Sequence, residues 1–143
     1  DIDSAYRRVP ILPEHRRFAK IMFSVEGQAM ESTHITMMFG SVASVHAWHR
    51  IASLLRAIAR RVLHLPILCF VDDYFSVDRH TCAQAAMQYF ARLIRACLGE
   101  SAVAPRKLEW GNPLIVLGVE IEVGIRNPCH NSRCTIFPFY HTG

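Results

Sequence analysis

Two adjacent acids, Asp72 and Asp73, directly follow the apolar run Pro-Ile-Leu-Cys-Phe-Val at 66–71. Carboxylates in that setting are costly, because each resists desolvation and each repels the other when ionised. On a regular strand neighbouring side chains point to opposite faces, whereas a tight turn can leave both at the exposed end of a sheet. A bound divalent cation offsets such clustered charge. Asp-Asp at a hairpin tip is also ordinary turn chemistry, since aspartate favours turns. A second acidic feature is Asp1-Ile2-Asp3-Ser4-Ala5-Tyr6. Mg²⁺ takes hard oxygen ligands, usually one or two carboxylates together with substrate phosphates and water. Carboxylates from two adjacent strands can hold two ions ~3.5–4 Å apart, which supports in-line phosphoryl transfer. Asp1, Asp72 and Asp73 are therefore candidate metal ligands. Asp3 is read as an exposed strand-end acid.

The elements that must position these acids are read from periodicity. The first eight residues read as the end of a strand running into a short turn or helix, and Pro10 and Pro13 then break the chain. Strands are expected over 18–25 and 34–39, with a turn at Glu26-Gly27-Gln28. The stretch 44–62 places Trp48, Ile51, Ala52, Leu55, Ile58, Ala59 and Val62 at helical spacing, with Ser44 as N-cap. Arg50, Arg56, Arg60 and Arg61 lie mostly off that stripe, as a solvated face or as a surface for nucleic-acid phosphates. Residues 66–71 suit a central strand covered on both faces, and Asp72-Asp73 would turn it into a second strand at 74–77. Asp78 would cap a helix over 79–98, ended by Gly99, with Ala83, Ala86, Met87, Phe90, Ile94 and Cys97 inward. A last hairpin is expected across 107–123, turning at Gly111-Asn112-Pro113. Beyond residue 123 periodicity is lost. The sum is an α+β fold, two main helices packed on one face of an antiparallel sheet.

At 143 residues, 51% of them apolar, the chain is long enough for one domain with a true core and is not a disordered segment. Its longest apolar run, 65–71, falls well short of the ~18 residues of a membrane span. Sixteen Lys and Arg against twelve Asp and Glu give a net +4, which suits an anionic partner without identifying one. Five cysteines, an odd number, argue against a disulfide framework and for a reducing, intracellular compartment. Cys129, His130, Cys134 and His141 match known zinc spacings poorly. The chain opens on Asp1 rather than Met and is read as an excised stretch of a longer protein.

Four segments together resemble the palm of reverse transcriptases, RNA-directed DNA polymerases, of the kind found in retrotransposons. Asp-Ile-Asp-Ser-Ala-Tyr-Arg-Arg-Val-Pro at 1–10, followed by Pro-Glu-His-Arg-Arg-Phe-Ala-Lys-Ile-Met-Phe at 13–23, is similar to the first palm motif. Met38-Phe39-Gly40-Ser41, leading into a helix, resembles the second. Phe70-Val71-Asp72-Asp73 resembles the aromatic-x-Asp-Asp box. Lys107 and then Pro113-Leu114-Ile115-Val116-Leu117-Gly118-Val119 resemble the motif lysine and the primer-grip hairpin. Order and spacing agree over 1–123, whereas the tail 124–143 does not resemble the corresponding part of a polymerase.

The resemblance implies roles for particular residues. Asp1, Asp72 and Asp73 would hold Mg²⁺ or Mn²⁺, with Asp1 and Asp72 the main ligands. Ile2 would touch the triphosphate through its backbone. Tyr6 would crowd the sugar 2′-hydroxyl and so favour deoxynucleotides; an ordinary core tyrosine is the other reading. Phe39 and Gly40 would sit beside the incoming base and sugar. Lys107 would protonate the pyrophosphate leaving group, or else is a solvated hairpin lysine. Partners would be a primed RNA or DNA template and a dNTP, with no membrane; oligomeric state is left open. The family's basic fingers and its thumb are not recognisable, so the isolated stretch is expected to be inactive. The competing readings are a nucleic-acid-binding α+β domain that uses no metal and an inactive retrotransposon relic. Convergence of Asp1 on Asp72 and Asp73 separates a polymerase palm from a binding module.

Overall fold

The computed structural model describes residues 2–104, 108–123 and 134–138. It is an α+β protein that divides into two compact units, one of residues 4–50 and one of residues 1–3 with 51–143.

In the 4–50 unit, two short 3₁₀ segments, Ala5–Arg8 and Pro13–Phe18, precede an antiparallel hairpin of β1 (Lys20–Val25) and β2 (Gln28–Thr33). Glu26 and Gly27 both have positive φ, 50° and 78°. That is the signature of a two-residue type I′ turn, whose twist matches the flanking strands. The sequence places the second strand at 34–39, but the tight turn starts it at Gln28 and exhausts the pairing at Thr33. Only Thr36 of the later segment pairs, in an isolated bridge with Pro10. The expected strand start at Phe18 also gives way, because Pro13 opens a 3₁₀ segment that includes Phe18.

Helix α1 spans Val42–Arg61 and buries Ser44, Trp48, Ala52, Leu55 and Ala59 at helical spacing. Ser44 is thus not its N-cap: the helix begins two residues earlier and the serine side chain turns inward. Val62 falls past the helix end and is exposed.

In the larger unit, β3 (Leu68–Phe70), β4 (Asp73–Arg79) and β7 (Cys134–Pro138) form an antiparallel sheet in the order β3-β4-β7. The strand expected to be central and doubly covered is instead an edge strand, with Leu68 and Phe70 exposed. Its apolar residues continue upstream into the loop, where Leu65 and Ile67 are the buried ones. β7 lies within the segment expected to be irregular; it pairs with β4 from Phe75↔Pro138 to Arg79↔Cys134.

Helix α2 (His80–Leu98) buries Ala83, Ala86, Met87, Phe90, Ala91 and Ile94. Cys97, expected inward, is exposed. Asp78 belongs to β4 and its carboxylate accepts the Arg79 N–H at 2.7 Å, so it does not cap the helix. Gly99 does end it, at φ 96° with its N–H donating to the Arg95 carbonyl at 2.8 Å.

Alternation along β4 gives its sheet two different faces. Tyr74 and Ser76 are buried, and the Tyr74 ring meets Phe90 of α2 at 5.1 Å. On the opposite face, Phe75 packs against Val116 and Ile136. Val116 comes from a small hairpin of β5 (Leu114–Val116) and β6 (Val119–Ile121), which turns at Leu117-Gly118. The turn expected at Gly111-Asn112-Pro113 instead closes this hairpin's base. The Asn112 amide donates to the Val123 carbonyl and accepts the Val123 N–H, at 3.0 and 2.9 Å. Gly111 and Ile136 exchange paired backbone hydrogen bonds of 3.0 Å, fastening this segment to β7.

Candidate metal site at the β3–β4 turn

Phe70 and Asp73 are the closing pair of the β3–β4 hairpin, so the two loop residues are Val71 and Asp72. The turn is one residue earlier than Asp72-Asp73 alone suggests. Asp73 is the first residue of β4, and both aspartates are half-buried residues.

Val71 has φ 55° while Asp72 does not share the positive sign. That pattern fits a type II′ turn, which prefers glycine at its first central position. The protein's β1–β2 and β5–β6 turns each carry a glycine at the second position, Gly27 and Gly118. Valine is β-branched, and left-handed backbone there costs on the order of 1–3 kcal/mol. Such strain persists only where surrounding structure over-determines it, and it clusters at functional sites.

The N-terminal segment meets this turn. The Ile2 N–H donates to the Asp72 carbonyl at 3.3 Å, and the Asp3 N–H donates to the Ala102 carbonyl at 2.9 Å. Ile2 is 1% exposed. The hydrogen bond therefore joins the residue after Asp1 to one of the paired acids, across most of the first half of the chain. Asp1 and Lys107 lie outside the described residues, as do Cys129, His130 and His141. Among the described residues, no group of three or more His, Cys, Asp and Glu side chains comes together.

Tyr74, immediately after the acids, anchors the turn from beneath. It is fully buried, its ring rests on Phe90, and its hydroxyl donates to the Ala52 carbonyl of α1 at 3.5 Å. On β3, the Cys69 thiol points to the Val71 carbonyl at 3.5 Å. Burial pushes the Tyr74 phenol far above its ordinary value, helped by the neighbouring Cys69. Burial likewise raises the Cys69 thiol; its hydrogen bond with Tyr74 and the charge of Arg56 oppose the rise, and the Asp72 and Asp73 charges add to it. The Tyr74 phenol and the Cys69 thiol beneath the acids are thus kept protonated and uncharged at neutral pH.

These shifts fix a pH dependence. The folded protein holds both protons more tightly than the unfolded chain, so the stability they supply is complete below the ordinary values of 9.0 and 10.0 and falls as pH rises above them. Tyr74→Phe is expected to cost no more than ~2 kcal/mol at pH 7, because it removes a weak 3.5 Å hydrogen bond to Ala52 and one with the Cys69 thiol. It should extend the folded range upward in an alkaline titration followed by circular dichroism. An unchanged alkaline midpoint would contradict the role given to the buried phenol.

Tyr6, Phe39 and Gly40 belong to the 4–50 unit. Tyr6 is buried, and its ring meets those of Phe39 and Trp48 edge-on at 4.9 and 6.5 Å. Phe39 is 72% exposed. Gly40 takes φ 83° in the turn before α1, a conformation that suits glycine, and a side chain there would meet open space.

Residue types alone do not single out Val71 or Tyr74. Tyr74 could have been found from the alternation of buried positions that starts right after the acids. The strain at Val71 has no signature in composition. Compared with models of protein families, with curated proteins and with solved structures, the chain matches none. Among the described residues no helix is long and apolar enough to cross a membrane.

Proposed function

We propose that the chain is the palm portion of an RNA-directed DNA polymerase, in which Asp1, Asp72 and Asp73 form a divalent-cation site for nucleotidyl transfer. The observation that carries this reading is the hydrogen bond from Ile2 to Asp72. A nucleic-acid-binding module has no need to bring the acidic N-terminal segment to the acidic turn; a two-metal site does. The strained valine beside Asp72 points the same way.

The donor set fits the ion. Hard carboxylate oxygens at a half-exposed turn suit Mg²⁺ or Mn²⁺ and leave room for water and phosphate ligands. When bound, such ions lower the pKa of a primer 3′-hydroxyl and neutralise the triphosphate it attacks. The protein's part is positioning. Tyr74, locked under the turn, fixes where β4 begins and so where Asp73 projects. The Ile2 hydrogen bond fixes the N-terminal segment against the carbonyl side of Asp72. Ile2 would lie along the triphosphate of a deoxynucleotide, and Lys107 would return a proton to the pyrophosphate. Template sequence would be read by base pairing, leaving the protein to contact shape and phosphate.

The test is primer extension on a primed RNA template with dNTPs and Mg²⁺ or Mn²⁺, using the longest reading frame that contains these residues. Synthesis is expected, with Asp1→Asn or Asp72→Asn each reducing it at least ~100-fold. Full retention in either variant would overturn the roles assigned.

A further inference from the structure

A second candidate site lies entirely within the 4–50 unit and shares no residue with the acidic turn. A cavity of about 380 Å³ is walled by Pro10, Ile11, Phe18, Met37 and Met38, with Ser44 of α1 in its lining. That volume is within the ~300–1,000 Å³ of small-molecule sites. Leu12, also in the lining, and Phe18 are exposed, so the cavity opens to solvent across apolar surface. His15 is its single ionisable lining residue.

The second observation concerns Ser44 itself. The residue is 1% exposed, and its Oγ has no hydrogen-bond partner. Burying a hydroxyl unpaired is unfavourable, and native proteins rarely leave one so. Serine can both donate and accept, so its partner is any neutral group with a hydroxyl or carbonyl. Because the Oγ is shielded from solvent, a ligand reaches it only if the wall gives. Met37 and Met38 line the same cavity, and their unbranched, polarisable side chains can repack around an inserted group.

We infer that this cavity binds a small, uncharged, largely apolar molecule carrying one hydrogen-bonding group, which pairs with Ser44 Oγ while its apolar body rests between Phe18 and the two methionines. A charged ligand is disfavoured by the apolar walls. This inference is independent of the polymerase reading.

The probes are 4-ethylphenol and ethylbenzene, which differ by one hydroxyl. Binding is followed through the methyl resonances of Met37 and Met38 in methionine-labelled protein. The expected result is saturable shifts of both methyls by 4-ethylphenol and about tenfold weaker binding of ethylbenzene. In Ser44→Ala the two probes should bind alike. No saturable shift with 4-ethylphenol would overturn the site, and equal affinities of the two probes for the unaltered protein would overturn the pairing with Ser44. These two outcomes need only the unaltered protein, so they stand even if the variant fails to fold.

Discussion

Asp72→Asn is expected to weaken Mn²⁺ binding by about 100-fold or more while leaving the fold intact. Two unit charges 4 Å apart attract by ~4 kcal/mol at an effective dielectric of 20, and a divalent ion feels more. Part of that is offset because the Asp72 carboxylate gives up hydration when it binds the ion, so the net loss is smaller than the Coulomb figure. At ~1.4 kcal/mol per factor of ten, a residual ~2.7 kcal/mol is 100-fold. Asparagine keeps the shape and turn preference of aspartate, so the Val71–Asp72 loop should survive. The free Mn²⁺ resonance in an electron paramagnetic titration reads the affinity directly, and circular dichroism checks the fold. Equal affinity in both proteins would contradict the site.

Phe90→Ala should destabilise the larger unit by ~3–5 kcal/mol, the usual cost of emptying a fully buried aromatic position. Phe90 has no exposed surface and supports the Tyr74 ring at 5.1 Å, so its loss opens a cavity directly beneath the acids. A native domain holds only ~5–15 kcal/mol in all, so this change consumes a large part of it. Urea denaturation measures the loss. Because Tyr74 then has an empty neighbour, Mn²⁺ binding should weaken as well, even under conditions where the variant remains folded. A loss below ~1 kcal/mol would show that the ring is not the support described.

Helical periodicity is legible in the sequence because it repeats: Trp48, Ala52, Leu55 and Ala59 on α1, and Ala83 to Ile94 on α2, fall where the spacing puts them. The strands are harder, for three distinct reasons. A two-residue turn at Glu26-Gly27 commits the chain to pairing several residues before the apolar segment at 34–39. The apolar run at 66–71 suggests a central strand, yet only Leu68–Phe70 pairs, at an edge. β7 is specified by long-range pairing with β4, which no local pattern reports. The acids themselves are visible as residue types, and their environment is not. Val71 in left-handed backbone and Tyr74 locked between Phe90 and Ala52 are products of tertiary packing. The contact of Ile2 with Asp72 is of the same kind, since it joins opposite ends of a long stretch of chain.

The most direct test places a paramagnetic ion and asks which amides sense it. Substoichiometric Mn²⁺ added to isotope-labelled protein should broaden the amide resonances of Ile2, Asp72 and Asp73 first, and Asp72→Asn should remove that selectivity. Sharp Ile2 and Asp73 signals, with broadening instead around acids such as Asp78, Glu100 or Glu120, would contradict a shared cation pocket at the β3–β4 turn.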